Sequence, residues 1–168
     1  MFKLGKKGSA PPILKRYYLN CYGNRTGPAI FGKRLKDEFK EMGWVYNARS
    51  FDYNLSFISG KYYDGKVNAL RLDGLYFDVE NTVGNSDELN TPIKKSYLEF
   101  DKLIFQSNFS REMYFHHFGV TRKPYKIIYN GVPGYFTPEG KGYKFPFDKT
   151  IVCSSSWRTH KRLEGILE

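Results

Sequence analysis

A chain of 168 residues, 40% hydrophobic and 26% charged and without a low-complexity tract, is long enough to bury one core and too apolar to be a solvated linker. Lys and Arg outnumber Asp and Glu by 27 to 17, a formal charge of +10, which suits nucleic acid, an anionic membrane surface, a phosphorylated small molecule or a merely solvated basic surface. Cys21 and Cys153 stand far apart with no Cys/His cluster, which argues against zinc and for a reducing compartment, and no stretch has the apolar length of a signal peptide or a spanning helix. The expectation is a soluble cytoplasmic protein in which the sequons at Asn24, Asn54 and Asn108 are idle.

After Pro11-Pro12, Lys15 to Tyr22 reads as a first strand. In the following "GNRTGPAIFGKRLKDEFKEMG", Phe31, Leu35, Phe39 and Met42 fall at spacings of 4, 4 and 3, one face of a helix. Thr26 or Gly27 sits at its N-cap, Pro28 suits its first turn and Gly43 closes it. Leu55 to Ile58 and Val67 to Leu72 read as buried strands, since their apolar residues do not strictly alternate. Thr91-Pro92 reads as a second helix start, with Thr91 as N-cap and Ile93, Tyr97 and Leu98 turned inward. "DKLIFQ" is a strand, and "SNFSREMYFHHFG" a helix from a Ser107 cap to Gly119, its apolar face Phe109, Met113 and Phe118, with Tyr114 and His117 near the edge.

Tyr125 to Tyr129 is then a strand ending at Asn130-Gly131. That pair is a hairpin signal, but Pro133 cannot donate into a returning ladder. Strands alternating with helices predict an α/β fold, a Rossmann-like parallel sheet with helices on both faces. In the final "DKTIVCSSSWRTHKRLEGILE", a strand at Thr150 to Cys153 and a helix from near His160 cannot bury a core of their own. The expected division is a domain over 1–138, and over 139–168 a linker with the first strand and helix of an incomplete second domain.

Neither a dinucleotide fingerprint nor a P-loop is present. The loop Gly23 to Gly27, with Arg25 and Thr26, still opens a helix whose N–H groups suit a phosphate or a sugar hydroxyl, or forms a tight turn and nothing more. His116 and His117 are adjacent, so on a helix they point about 100° apart and cannot grip one metal, which leaves them packing roles. Arg158, His160, Lys161 and Arg162 gather after a strand, where an open α/β sheet binds ligand and where cations would oppose the helix dipole unless an anion joined them. Asp73 follows the strand "VNALRL" at the same edge, either as a hydroxyl acceptor or as a turn cap.

The run "DKLIFQSNFSREMYFHHFGVTRKPYKIIYNGVPGYFTP" resembles the end of the N-terminal domain of the family-four retaining glycosyltransferases of GT-B architecture, where an "S-x-F-S" helix start, "FGV" and "K-x-x-I-x-N-G-V-D-x-x-x-F-x-P" come in this order. "SSSWRTHKRLEGILE" is similar to the opening of their second domain, and "RTGPAIFGKRL" and "LRLDG" to a subgroup. The resemblance implies an enzyme that transfers a hexosyl group, with retention, from a UDP- or GDP-linked sugar to a glycan or lipid-linked acceptor, without metal or other cofactor. Arg158 and Lys161 match the cationic pair on the donor diphosphate; Arg162 and His160 fit that spacing less well. Gly23, Arg25, Thr26 and Gly27 would approach the phosphates or the acceptor.

Asp73 falls where many members carry a histidine near the reacting sugar, and would orient a hydroxyl as the one catalytic candidate of this chain. Asn130 and Gly131 would form the interdomain hinge, although Pro133 replaces the usual aspartate. The E-x₇-E signature is absent, so the expectation is a fragment without measurable transferase activity, in the cytoplasm or peripheral at a membrane, that binds no nucleic acid and associates through its incomplete second domain. Two other readings stand beside it. One is a basic nucleic-acid-binding module, with aromatics stacking bases along a cationic groove. The other is a non-catalytic remnant that pairs with another chain.

Overall fold

A computed structural model describes residues 14–21, 26–77, 85–131 and 146. In chain order these form β1 (Arg16–Asn20), α1 (Gly27–Glu41), β2 (Val45–Tyr46), β3 (Tyr53–Phe57), β4 (Val67–Leu72), α2 (Ser86–Glu99), β5 (Lys102–Phe105), α3 (Asn108–Phe118) and β6 (Tyr125–Ile127). The strands make one six-stranded sheet in the order β2-β1-β3-β4-β5-β6, and every pair is parallel. This is the Rossmann-like α/β arrangement that the alternating pattern implies. From β1 the chain first moves outward to β2 and then returns to β3, so the order reverses between β1 and β3.

Register sorts the side chains onto two faces, because partners in a parallel ladder point the same way. Tyr17, Leu19, Tyr53, Leu55, Phe57 and Arg71 share one face. Phe31, Leu35 and Phe39 of α1 pack there against Tyr17, Leu19 and Phe57. Leu70, Leu72, Leu103 and Phe105 lie on the other, under Ile93 and Tyr97 of α2 and Tyr114 of α3. Tyr97 and Tyr114 are buried together with their hydroxyls satisfied, donating to the carbonyls of Gly119 (2.6 Å) and Gly74 (2.9 Å).

The helix ends follow local chemistry. The Thr26 hydroxyl accepts the Ala29 N–H at 3.3 Å, Pro28 lies in the first turn, and Gly43 leaves α1 at φ +76°. The Ser107 hydroxyl accepts the Ser110 N–H at 3.0 Å, and Gly119 follows α3 at φ +91°. α2 departs from expectation: it starts at Ser86, with Asn85 rather than Thr91 as cap, and Pro92 lies inside it. Asn85 accepts the Asp87 N–H at 2.9 Å, Asp87 and Glu88 complement the helix dipole, and Pro92 lies on the exposed side of the helix.

Three residues expected on inward faces, Met42, Leu98 and Phe109, are exposed. In α3 the buried stripe is Ser110 and Tyr114, fixed by contact with Tyr97 and Phe105 rather than by the most apolar positions. β2 was not foreseen, since two residues carry no periodicity.

Two connections have no helix, a short one over residues 47–52 from β2 to β3 and a longer one from β3 to β4. Residues 58–66 return the chain from the end of β3 to the start of β4, a shorter crossover than the dozen or more residues that parallel neighbours usually need. Asn54 and Asn68, buried on the second face, hold it, and buried Ser56 donates to Asn54 Oδ1 at 3.3 Å. Asn54 Nδ2 donates to the Lys61 carbonyl (2.9 Å) and to Asn68 Oδ1 (3.0 Å). Asn68 Oδ1 also accepts the Tyr63 N–H (3.0 Å), and its Nδ2 donates to the carbonyls of Tyr63 and Lys66 (3.0 Å each). The burial of Asn54 agrees with an idle sequon.

Candidate functional site

Ligands of open parallel sheets bind outside the carboxyl ends of the strands. At the ends of β4, β5 and β6 four polar side chains close a ring. Arg71, the third residue of the run "ALRLDG", is 5% exposed, and its guanidinium stacks on Phe31 of α1 (4.3 Å to the ring centre) and Phe57 of β3 (5.2 Å). One of its terminal nitrogens donates to the Asp73 carboxylate and the other to the Asn130 side-chain carbonyl. Asn130 Nδ2 donates to Gln106 Oε1 at 2.9 Å, and Gln106 bonds the Asp73 carboxylate.

Burial sets the electrostatics. It pushes the Asp73 carboxyl above its ordinary range, against the opposing pull of Arg71 and of the Gln106 bond. Arg71 is moved down by the same desolvation while Asp73 resists, and a guanidinium stays charged. The pair is thus neutral overall, and Asp73 remains partly open, its side chain 20% exposed. Such a carboxylate can accept a hydrogen bond from a hydroxyl group without surrendering its guanidinium partner.

The strain nearby is real. Ile58, just after β3, is the only described non-glycine residue with positive φ, at +70°, unusual for a β-branched side chain. Its N–H donates to the Arg71 carbonyl at 2.8 Å, which ties the turn to the ring. On the other face, at the β1–β3 switch point, a cleft of about 780 Å³ is lined by Asn20, Ser59, Gly60, Tyr62, Lys95 and Ser96 among others.

Of the residues singled out from sequence, Asp73 and Asn130 are brought together and Gly131 follows, exposed. Neither Asn130 nor Gly131 has positive φ, so no primed hairpin turn forms there. Thr26 and Gly27 open α1, whose Phe31 covers Arg71; a side chain at Gly27 would meet nothing within 4 Å, so no close approach requires the glycine. Gly23, Arg25, Arg158, His160, Lys161 and Arg162 lie outside the described residues. His116 and His117 are exposed in the last turn of α3, where cations suit the dipole. Among the described residues no group of three or more His, Cys, Asp or Glu could hold a metal, and no helix is long and apolar enough to cross a membrane.

Arg71 and Gln106 were missed. The signal for Arg71 was available: a lone cation in a buried strand, two residues before an aspartate, requires a partner. Gln106 gives no such signal, because the register of three strands brings it to the ring. Compared with protein-family models, curated proteins and solved structures, the chain matches none.

Proposed function

We propose that the described domain is the acceptor-binding half of a retaining, metal-independent glycosyltransferase of GT-B architecture that works in the cytoplasm or at a membrane surface. One observation carries this reading: the ring of Arg71, Asp73, Gln106 and Asn130 at the carboxyl edge joins the two motifs, "LRLDG" and "YNGV", that resemble the family. A partly open carboxylate held by a buried guanidinium is fitted to orient a sugar hydroxyl. Arg158 and Lys161 take the donor diphosphate in this proposal, supplying the charge that a metal would otherwise bring, and Asn130 and Gly131 are the hinge between acceptor and donor halves.

The test is saturation-transfer NMR of the chain against a panel of neutral and acidic glycans and UDP- and GDP-sugars. Binding of a glycan that falls about tenfold in Asp73→Ala, the loss of one charge-assisted hydrogen bond, is expected. Absence of any sugar binding, together with DNA or RNA affinity that drops steeply with salt, would replace this reading by the nucleic-acid one.

A further inference from the structure

Among the described residues only two buried side-chain atoms lack a hydrogen-bond partner, Ser110 Oγ and Arg111 Nε. They are neighbours in sequence and both belong to the first turn and a half of α3. Buried donors without partners are rare, and each calls for an explanation such as a missing ion or ligand.

The first turn of a helix already favours an anion. Ser107 takes the N–H of Ser110 through its hydroxyl and that of Arg111 through its carbonyl (3.1 Å), which leaves the N–H groups of Asn108 and Phe109 without an intrahelical acceptor. Helical Cα–Cβ bonds tilt toward the N-terminus, so Ser110, on the buried stripe with Tyr114, and the partly exposed Arg111 both have their Cβ atoms inclined toward this turn, at the carboxyl edge of the sheet. Ser110 is only 7% exposed. Arg111 keeps one nitrogen on Glu112 at 3.3 Å and stacks near Phe115, with Nε unengaged. Asp73, the nearby carboxylate of the ring, is paired with Arg71 and presents little net charge against an anion.

We infer that the first turn of α3 is a phosphate site, in which the N–H groups of Asn108 and Phe109, the Ser110 hydroxyl and the Arg111 guanidinium take a phosphate monoester carried by the acceptor. The site itself rests on the orphaned donors and the helix end. Only the identity of the molecule that brings the phosphate rests on the glycosyltransferase reading.

Inorganic phosphate, methyl phosphate and phosphatidylcholine vesicles doped with phosphatidic acid are titrated separately into the chain, followed by amide chemical shifts of Asn108 to Arg111 and by vesicle co-sedimentation. Saturable shifts confined to this turn are expected, with phosphate affinity weakened about tenfold in Ser110→Ala and in Arg111→Gln and partly restored in Arg111→Lys, the loss expected for one hydrogen bond to a charged group. Ser110→Ala removes a buried unpaired hydroxyl, so its melting temperature should not fall; a lower melting temperature with unchanged phosphate affinity overturns the site. Binding to vesicles alone assigns the phosphate to a lipid headgroup, and binding of methyl phosphate alone to a soluble ester; both support the site. Phosphate binding without any glycan binding would remove the glycosyltransferase reading and leave this one standing.

Discussion

Two crossovers on the same face of the sheet do the same job by different means. Between β4 and β5, α2 covers the strands with Ile93 and Tyr97 on Leu70, Leu72 and Leu103, so its hold is apolar burial. Between β3 and β4, residues 58–66 have no helix; Ile58 and Tyr62 pack on the core, and the run is tied down by hydrogen bonds to and from Asn54 and Asn68, with Asp101 behind them accepting the Asn68 N–H at 2.8 Å and the Tyr62 hydroxyl at 3.1 Å. The difference teaches where each region tolerates change: the apolar crossover responds gradually to lost volume, whereas the polar one fails when a single shared partner goes.

The sharpest break is Asn68→Leu. It orphans the Tyr63 N–H, the carbonyls of Tyr63 and Lys66, and one bond to Asp101, each buried group costing about 1–3 kcal/mol, so a loss of about 4 kcal/mol in urea unfolding is expected despite the conserved volume. Leu70→Ala, the apolar counterpart, should cost about 3 kcal/mol by transfer and cavity formation, with the connector's amide protection intact. If hydrogen exchange showed residues 60–66 opening equally in both variants, the two crossovers would not be separate.

Gly60→Ala comes next. An added Cβ would stand 2.3 Å from Ser56 Oγ and 2.5 Å from its Cβ, a clash worth about 2 kcal/mol, and Ser56→Gly in the same chain should recover most of it. The smallest effect is a pH dependence. Partial burial alone would raise the Asp101 carboxyl, but the bonds from Asn68 and Tyr62 outweigh it and hold it below the ordinary carboxylate range. A depressed acid stabilises the fold above its unfolded value, about 4, and loses that contribution as pH falls through the folded one. Urea midpoints should therefore drop below about pH 4, less so in Asp101→Asn, which costs about 1 kcal/mol at neutral pH. Asp73 has the opposite sign, since its raised carboxyl favours the fold at low pH, so it does not account for that drop.

The sequence disclosed what depends on neighbours along the chain. The strands β1, β3, β4 and β5, the caps at Thr26 and Ser107 and the stop at Gly119 follow from short-range pattern and chemistry. The early start of α2 was hidden because Thr91-Pro92 is the stronger local cap signal, and Asn85 prevails through its own bond and two following carboxylates. Of the candidate site, Asp73 and Asn130 were legible as strand-end residues. Their union through Arg71 and Gln106 was not, because residues 59 positions apart meet only when strand order is known. Asn54 was legible only as an idle sequon and Asn68 only as one position of a buried strand; their shared connector gives both a role.

The connector between β3 and β4 also bears on the order of folding. Asn54 and Asn68 across β3 and β4 are 14 positions apart, whereas Arg16 and Asp52 across β1 and β3 are 36 apart, and Asn68 and Asp101 across β4 and β5 are 33 apart. Closing the shortest loop loses the least chain entropy, so β3, its connector and β4 form the natural nucleus onto which later strands add. A substitution that weakens the Asn54–Asn68 pair should then slow refolding, while one in β6 should chiefly speed unfolding.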